Sequence, residues 1–289
     1  MTIHDEGLAA RVESLLGQPV VESSTAHGGD IGVSARVRLA DGRGCFAKRY
    51  PDAPAAMAQA EAAGLDWLRE VRALRIPEVV AVSQDGEALL LLEWIDEGRP
   101  AARHDEELGR GLAALHAAGA PAFGFGADGY IATLPQSNRE RERWCDFYRA
   151  ERLAPLADRA AGRDLLPSGL RTDLGRLFDA LPDLCGPDEA PARLHGDLWA
   201  GNRITDSSGA PCLIDPAVYG GHREIDLAMM RLFGGFGGRV FDAYEDAFPL
   251  APGARDRVGL YQLYPLLVHV NLFGAGYVGQ LAEAVRRYL

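Results

Sequence analysis

A chain of 289 residues with a net charge of −11 and 47% apolar residues is long enough for two lobes and has the make-up of a folded, soluble protein. The acidic balance argues against nonspecific nucleic-acid binding or adhesion to anionic membranes, both of which need clustered basic side chains. Four scattered cysteines, Cys45, Cys145, Cys185 and Cys212, show no metal-ligand spacing and read as reduced thiols of a cytoplasmic protein.

In chain order, residues Met1 to Glu6 lack the basic and apolar regions of a signal peptide, so no leader is expected. Val20–Ser23, Val33–Leu39 and Gly44–Tyr50 alternate like strands, with a hairpin signal at Asp41-Gly42. Pro54 opens a helical pattern through Arg72, as proline suits a first helical turn. Val79–Val82 and Ala88–Trp94 add two strands. From Asp105 the pattern turns helical, with Leu108, Leu112 and Leu115 on one face. Helices are expected over Gln136–Ala160, Leu170–Leu181, Arg223–Phe233 and much of Leu260–Leu289. The run Arg139 to Arg143, interleaved with Glu140 and Glu142, reads as a solvated helix face. Leu263 to Gly279 is apolar but short for a membrane span. Short strands are expected at Arg203–Thr205 and Cys212–Ile214. The sum is an α+β fold: a small antiparallel-sheet lobe with one main helix over residues 1–95, joined near Glu93–Gly98 to a larger helical lobe over 96–289. Ligand pockets favour the cleft of such an arrangement.

The stretch His195-Gly196-Asp197-Leu198-Trp199-Ala200-Gly201-Asn202, followed by Leu213-Ile214-Asp215-Pro216, supplies an Asp, an Asn and a second Asp in fixed order. Phosphoryl transfer from ATP uses that set: Asp197 as base for the attacking hydroxyl, Asn202 and Asp215 as oxygen ligands for Mg²⁺. Each of these taken alone is also an ordinary turn residue. Of thirty basic residues, Lys48 is the sole lysine, on a strand where a kinase places the lysine that reaches the nucleotide phosphates. Glu61, on the following helix among small neighbours, is the expected partner of Lys48, with Glu70 or a plain surface role as the alternatives. Gly28 and Gly29, in His27-Gly28-Gly29-Asp30-Ile31-Gly32, would let backbone N–H groups approach phosphates, although a Gly-Gly hairpin has the same composition. The charge of Asp30 would repel those phosphates unless it points away. Glu93, Trp94 and Ile95 would present backbone groups to an adenine edge. His195 and His116 read as packing and hydrogen-bonding residues, and Asp226, at a helix start, as a brace of the catalytic loop.

With those residues in hand, the chain resembles the fructosamine kinase (ketosamine 3-kinase) branch of the aminoglycoside-phosphotransferase and protein-kinase-like fold. The resemblance runs over nearly the whole length. It is carried by Phe46-Ala47-Lys48, Glu61-Ala62-Ala63-Gly64-Leu65, Asp215-Pro216-Ala217, His222 to Ala228, Leu232-Phe233-Gly234-Gly235-Phe236 and Asn271-Leu272-Phe273-Gly274, and above all by His195 to Asn202. It implies ATP- and Mg²⁺-dependent phosphorylation of the carbon-3 hydroxyl of ketosamines, free or on glycated proteins, by a monomer with no nucleic-acid or membrane partner. The product would be unstable and release the amine. Asp30 stands where some members carry Cys, so redox control through that loop is not expected. Asp-Pro-Ala replaces the Asp-Phe-Gly of many protein kinases, which removes their flipping Phe. The acceptor is expected near Trp199, Tyr219, His222, Arg223, Glu224 and the segment Asn271-Leu272-Phe273. An aromatic face covers sugar C–H groups, and Glu224 or Trp199 could hold the cationic amine. Packing of the second lobe is the alternative for each. A kinase of aminoglycosides or choline would share the catalytic set, and a pseudokinase would lack part of it.

Overall fold

The computed structural model describes residues 6–26, 32–84 and 86–289. Gly28, Gly29 and Asp30 therefore lie outside the described residues. The chain divides into two compact units, Met1–Leu108 with Gly201–Ala217, and Gly109–Ala200 with Val218–Leu289. The expected boundary after residue 95 falls inside the first unit, which also takes in residues 201–217.

In the first unit, helix α1 (Glu6–Leu16) precedes strands β1 (Val20–Thr25), β2 (Val33–Leu39) and β3 (Gly44–Pro54). Helix α2 (Ala55–Arg69) and strands β4 (Val79–Val82) and β5 (Glu87–Glu93) follow. The sheet runs β1-β2-β3-β5-β4, antiparallel throughout. Alternation dictates its faces: Val37 and Leu39 are buried between the exposed Arg36 and Arg38. Together with Cys45, Ala47, Leu89 and Leu91 they form a core with Leu8 and Val12 of α1. Each fully buried aliphatic side chain stabilises by about 1.5–3 kcal/mol. Register places Lys48 opposite Ser34 on one side and Leu90 on the other. Pro54 caps α2 in extended conformation, as expected from a proline at a helix start.

Residues 201–217 join this unit through backbone bonds. Leu213 N–H donates to the Arg75 carbonyl at 3.0 Å and Gly98 N–H to that of Thr205 at 3.0 Å. Arg75 Nη1 reaches Asp206 Oδ2 at 2.6 Å, and the Ser208 hydroxyl followed by Arg75 holds that carboxyl well below the usual range. Strands β9 (Arg203–Thr205) and β10 (Pro211–Leu213) form the expected short hairpin.

Helix α3 (His104–Ala117) leads into the second unit, where β6 (Gly129–Ile131) and β7 (Leu134–Gln136) form a hairpin. Helix α4 (Trp144–Phe147), a π-helical turn at Tyr148–Leu153, α5 (Ala154–Gly162) and α6 (Ser168–Leu184) follow. Strand β8 (Ala192–Leu194) pairs antiparallel with β11 (Tyr219–Gly221). Helices α7 (Glu224–Leu232), α8 (Gly238–Ala247), α9 (Ala254–Tyr261), α10 (Leu263–Phe273) and α11 (Val278–Arg286) close the chain. The helical pattern expected over Gln136–Ala160 is corrected at its start: helix begins only at Trp144. Arg141 N–H is instead drawn into a bond with the Phe123 carbonyl at 2.9 Å, a tertiary pairing that overrides local periodicity. Arg152 is fully buried, its guanidinium 3.8 Å from the Tyr219 ring centroid and bonded to Ser137 O and Asn138 Oδ1. All four cysteines are free and buried. No helix among the described residues is long and apolar enough to cross a membrane.

Candidate active site

Strand β3 carries Lys48 with 4% of its surface exposed. Its Nζ lies 3.1 and 3.3 Å from the two carboxylate oxygens of Glu61 on α2 and 2.8 Å from Asp215 Oδ1. Tyr50, two residues along the same strand face, donates its hydroxyl to Glu61. Burial alone would lower the Lys48 ammonium, but Glu61 and then Asp215 hold it well above its ordinary value. Burial also pushes up the carboxyl of Glu61, against the pull of Lys48. The sole lysine is thus a fixed cation between two carboxylates, one on a helix and one on a loop.

Asp215 has a left-handed backbone, φ +52°, which a non-glycine residue adopts rarely and at a cost. The loop around it is pinned: Ile214 N–H donates to the Asn202 carbonyl at 3.0 Å, and Asn202 Nδ2 to the Asp215 carbonyl at 3.3 Å. Asn202 therefore uses its amide nitrogen on the backbone, and the two side chains supply an amide oxygen and a carboxylate. These are the hard donors Mg²⁺ prefers. Among the described residues no group of three or more His, Cys, Asp or Glu could hold a metal. An ion here would need phosphate oxygens and water to complete its shell, so the donor set fits a nucleotide-borne Mg²⁺.

The segment after β5 is more heavily engaged than the sequence suggests. Glu93 N–H donates to the Glu78 carbonyl at 2.9 Å and Trp94 N–H to that of Gly44 at 3.3 Å. The Glu93 side chain accepts from Glu78 N–H at 3.1 Å, and the Trp94 ring lies under Arg36. Ile95 is buried. The backbone donors of Glu93 and Trp94 are thus spent within the unit.

In the second unit, Asp197 is half-buried just beyond β8. Its backbone N–H donates to His195 Nδ1 at 3.3 Å, while Trp199 N–H donates to its carbonyl at 3.1 Å. Asp226 at the start of α7 takes the next turn of the loop, accepting from His195 N–H at 2.8 Å and Gly196 N–H at 2.9 Å. Gly196 has φ +82°, a conformation that suits glycine and lets both amides face one carboxylate. His116 Nε2 sits 3.1 Å from the same carboxylate, and its Nδ1 lies 2.8 Å from the Tyr244 hydroxyl. Burial would raise the Asp226 carboxyl, but His116, the charge at His195 and Gly196 N–H together hold it below the usual range. The bracing role read for Asp226 has this geometry. His116, expected to pack and hydrogen-bond, lies 110 residues from Asp226, and Tyr244, 128 residues from His116, is the part that the sequence did not single out.

The acceptor residues expected from sequence separate into two groups. Trp199 is half-exposed beside Asp197. Tyr219, His222, Arg223, Glu224 and Asn271 are buried and packed or bonded within the unit. Tyr219 is fully buried and stacked on Phe147 at 5.5 Å. His222 stacks on Tyr261 at 5.3 Å, and burial pushes its ring down to about 4. Arg223 grips Glu189 and the carbonyls of Phe248 and Pro249. Glu224 is ion-paired with Arg257 at 2.6 Å, and Asn271 Nδ2 bonds the carbonyls of Leu156 and Leu267. A small cavity at Asp197 is lined instead by Gly196, Ile131, Met229, Tyr264 and His269 among others. A second cavity of about 320 Å³ shares Ile131 and Tyr264 with it and adds Gln136, Ser137, Asp128 and Arg159. Tyr264 donates to Gln136 Oε1 at 2.6 Å on this shared wall. Gln136-Ser137 and Tyr264 lie in stretches shared with the resembled family, but nothing in their spacing says that they share a cavity. They meet through packing of α10 against the hairpin.

The fructosamine kinase family model matches residues 6–289. A protein of Enterococcus faecium named a probable ketoamine kinase is 37% identical over 264 residues, covering 90% of this chain and 93% of that one. The chloroplastic protein-ribulosamine 3-kinase of Arabidopsis thaliana is 33% identical over 280 residues, covering 93% of this chain and 83% of that one. The crystal structure of a candidate fructosamine-3-kinase from Thermobifida fusca is similar with a TM-score of 0.89 at 44% identity, covering 98% of both chains.

Proposed function

The chain belongs to the fructosamine kinase family, and from that premise we propose that it is an ATP-dependent kinase of ketosamines, phosphorylating their carbon-3 hydroxyl. The observation that carries the kinase part is Lys48, buried between Glu61 and Asp215 on the strand where a nucleotide-binding lysine belongs. The names of the ketoamine and ribulosamine kinase relatives support the acceptor class.

Lys48 reaches the α- and β-phosphates, kept in place by Glu61. Asn202 and Asp215 hold Mg²⁺, which when bound neutralises charge on the phosphates during transfer. Asp197 accepts the proton of the carbon-3 hydroxyl as that oxygen bonds to phosphorus and the bond to the ADP oxygen breaks. Asp226 and His116 keep the Asp197 loop in one shape, so the base is placed before the acceptor arrives. Trp199 covers an apolar sugar face, and the wall formed by Gln136, Ser137 and Tyr264 offers polar partners to hydroxyls. The 3-phosphate then decomposes with release of the amine, which makes the outcome deglycation. A cytoplasmic monomer is the setting we propose.

The test is an ADP-release panel with ribose- and fructose-derived amines beside kanamycin and choline. Turnover of the ketosamines alone is expected, and turnover of only kanamycin or choline refutes the acceptor assignment. Asp197→Asn should retain nucleotide binding while turnover drops about 10²–10⁴-fold, the usual contribution of a general base. Near-normal turnover of that variant at saturating acceptor would remove Asp197 from the role.

A further inference from the structure

Phe233 and Phe273 are 40% and 59% exposed, the two aromatics among the exposed large apolar side chains of the described residues. Both converge on His269, with ring centroids 4.6 and 5.3 Å away. Tyr277 lies 4.9 Å from His269 and 6.0 Å from Phe273. The four rings make one patch, reached from the end of α7, from α10 and from the turn after it.

Two links tie this patch to the catalytic loop. His269 itself lines the small cavity at Asp197. The turn after Phe233 also lies against the loop: Gly234 and Gly235 have φ +73° and +87°, and a Cβ on Gly235 would collide with that of Ala200, next to Trp199. The turn needs glycine to lie so close.

A ketosamine carries its cationic nitrogen on carbon 1, two carbons from the oxygen that Asp197 must reach. Its carrier arm therefore has to leave close to Asp197. Among the described residues no carboxylate but Asp197 lines that cavity, and Glu224 is committed to Arg257. Of the four rings, His269 lines the cavity, and Phe233, Phe273 and Tyr277 lie against His269. These attract an ammonium through their quadrupole and cover the methylenes beside it.

We propose that Phe233, His269, Phe273 and Tyr277 form the platform for the secondary ammonium and alkyl arm of the amine carrier. The platform selects ketosamines of lysine-like amines over those with no arm. This rests on the ketosamine reading above and adds to it the part of the substrate that is recognised.

The experiment compares the fructose adduct of a lysine side chain with 1-amino-1-deoxyfructose, which has no arm, in wild type, Phe233→Ala/Phe273→Ala and Phe273→Trp. In the double variant the ratio of kcat/KM for the armed over the armless substrate should fall about tenfold, mainly through KM. Phe273→Trp should keep or raise the ratio. Both rings are exposed, so the variants should melt like wild type, which a thermal scan checks. An unchanged ratio with both substrates still phosphorylated overturns the platform and leaves the ketosamine kinase reading standing. The same result accompanied by loss of a dimer on a sizing column also overturns it, and assigns the rings to a second copy of the chain. If wild type phosphorylates neither substrate, the ketosamine reading falls and the platform falls with it.

Discussion

Asp215 in the first unit and Asp226 in the second are both carboxylates of the candidate machinery, yet their surroundings are opposite. Asp226 is fully buried, and its oxygens take two backbone N–H groups and a histidine. Asp215 is partly exposed, has a left-handed backbone, and shares one lysine with Glu61. The first arrangement satisfies a charge permanently with protein donors. The second holds two carboxylates against one cation, an excess of negative charge that a metal ion would balance. A buried charge with a complete set of protein partners shapes the loop, whereas an under-compensated one on a strained backbone is placed to meet a ligand.

The strongest way to break this comparison is to exchange the consequences. Asp215→Gly should abolish turnover, because the carboxylate proposed to hold Mg²⁺ is gone. It should also leave the melting temperature unchanged or slightly higher, since glycine relieves the left-handed backbone by about 1 kcal/mol and Glu61 still neutralises Lys48. Assay and calorimetry on the same preparation read both effects. A variant that loses activity by unfolding would show that Asp215 is structural, like Asp226. Lys48→Arg sharpens the point: a rigid fork cannot take the place of a compact ammonium between two carboxylates, so catalysis should weaken although charge is kept.

Asp226→Ala should do the reverse, with stability as its primary loss. It leaves His195 N–H, Gly196 N–H and His116 without their acceptor. Breaking such a buried set costs about 3–5 kcal/mol. Denaturant titration should show it, and activity should fall in proportion to the folded fraction and to the loosened loop. A melting temperature within a degree of wild type would mean that the brace contributes nothing.

The same contrast explains what could be read from the sequence. The sheet was legible because strands such as Val33–Leu39 alternate with period two, and α2 because Pro54 marks its start. Asp197, Asn202 and Asp215 stand out in the sequence because phosphoryl-transfer chemistry orders such residues within one short stretch, and their roles remain part of the proposed function. The sequence marks Asp226 as a brace by its place at a helix start, but the pairing of Asp226 with His116, and of His116 with Tyr244, arises only through tertiary packing. Arg152 shows the limit most plainly. Nothing in its local sequence says that it is fully buried over Tyr219 and bonded to Ser137 and Asn138. The helix expected over Gln136–Ala160 fails at its start, over residues 136–143, where a long-range backbone bond from Arg141 to Phe123 overrides periodicity. Glu224 and Asn271 were read as substrate contacts because they follow the catalytic loop or repeat a family stretch, and proximity in sequence says nothing about prior partners.

The smallest effect concerns pH and separates a packed residue from a ligand-facing one in the second unit. His222 is buried against Tyr261, with its ring pushed down to about 4 from an ordinary 6.5, chiefly by burial. Between those two values the unfolded chain binds a proton that the folded chain refuses. Stability therefore falls as pH drops below about 6.5 and levels off below about 4, a loss of about 3 kcal/mol from this group. Glu224 runs the other way, since burial raises its carboxyl, so the difference between variant and wild type is the quantity to measure. His222→Phe should lie lower at neutral pH by about 1 kcal/mol, because Glu224 N–H loses its acceptor at Nδ1. The variant should then converge on wild type and pass above it as pH approaches 4. Parallel curves across that range would mean that the ring is charged, or reached by solvent, in the folded protein. In that case His222 would return to the acceptor side, where its sequence position first placed it.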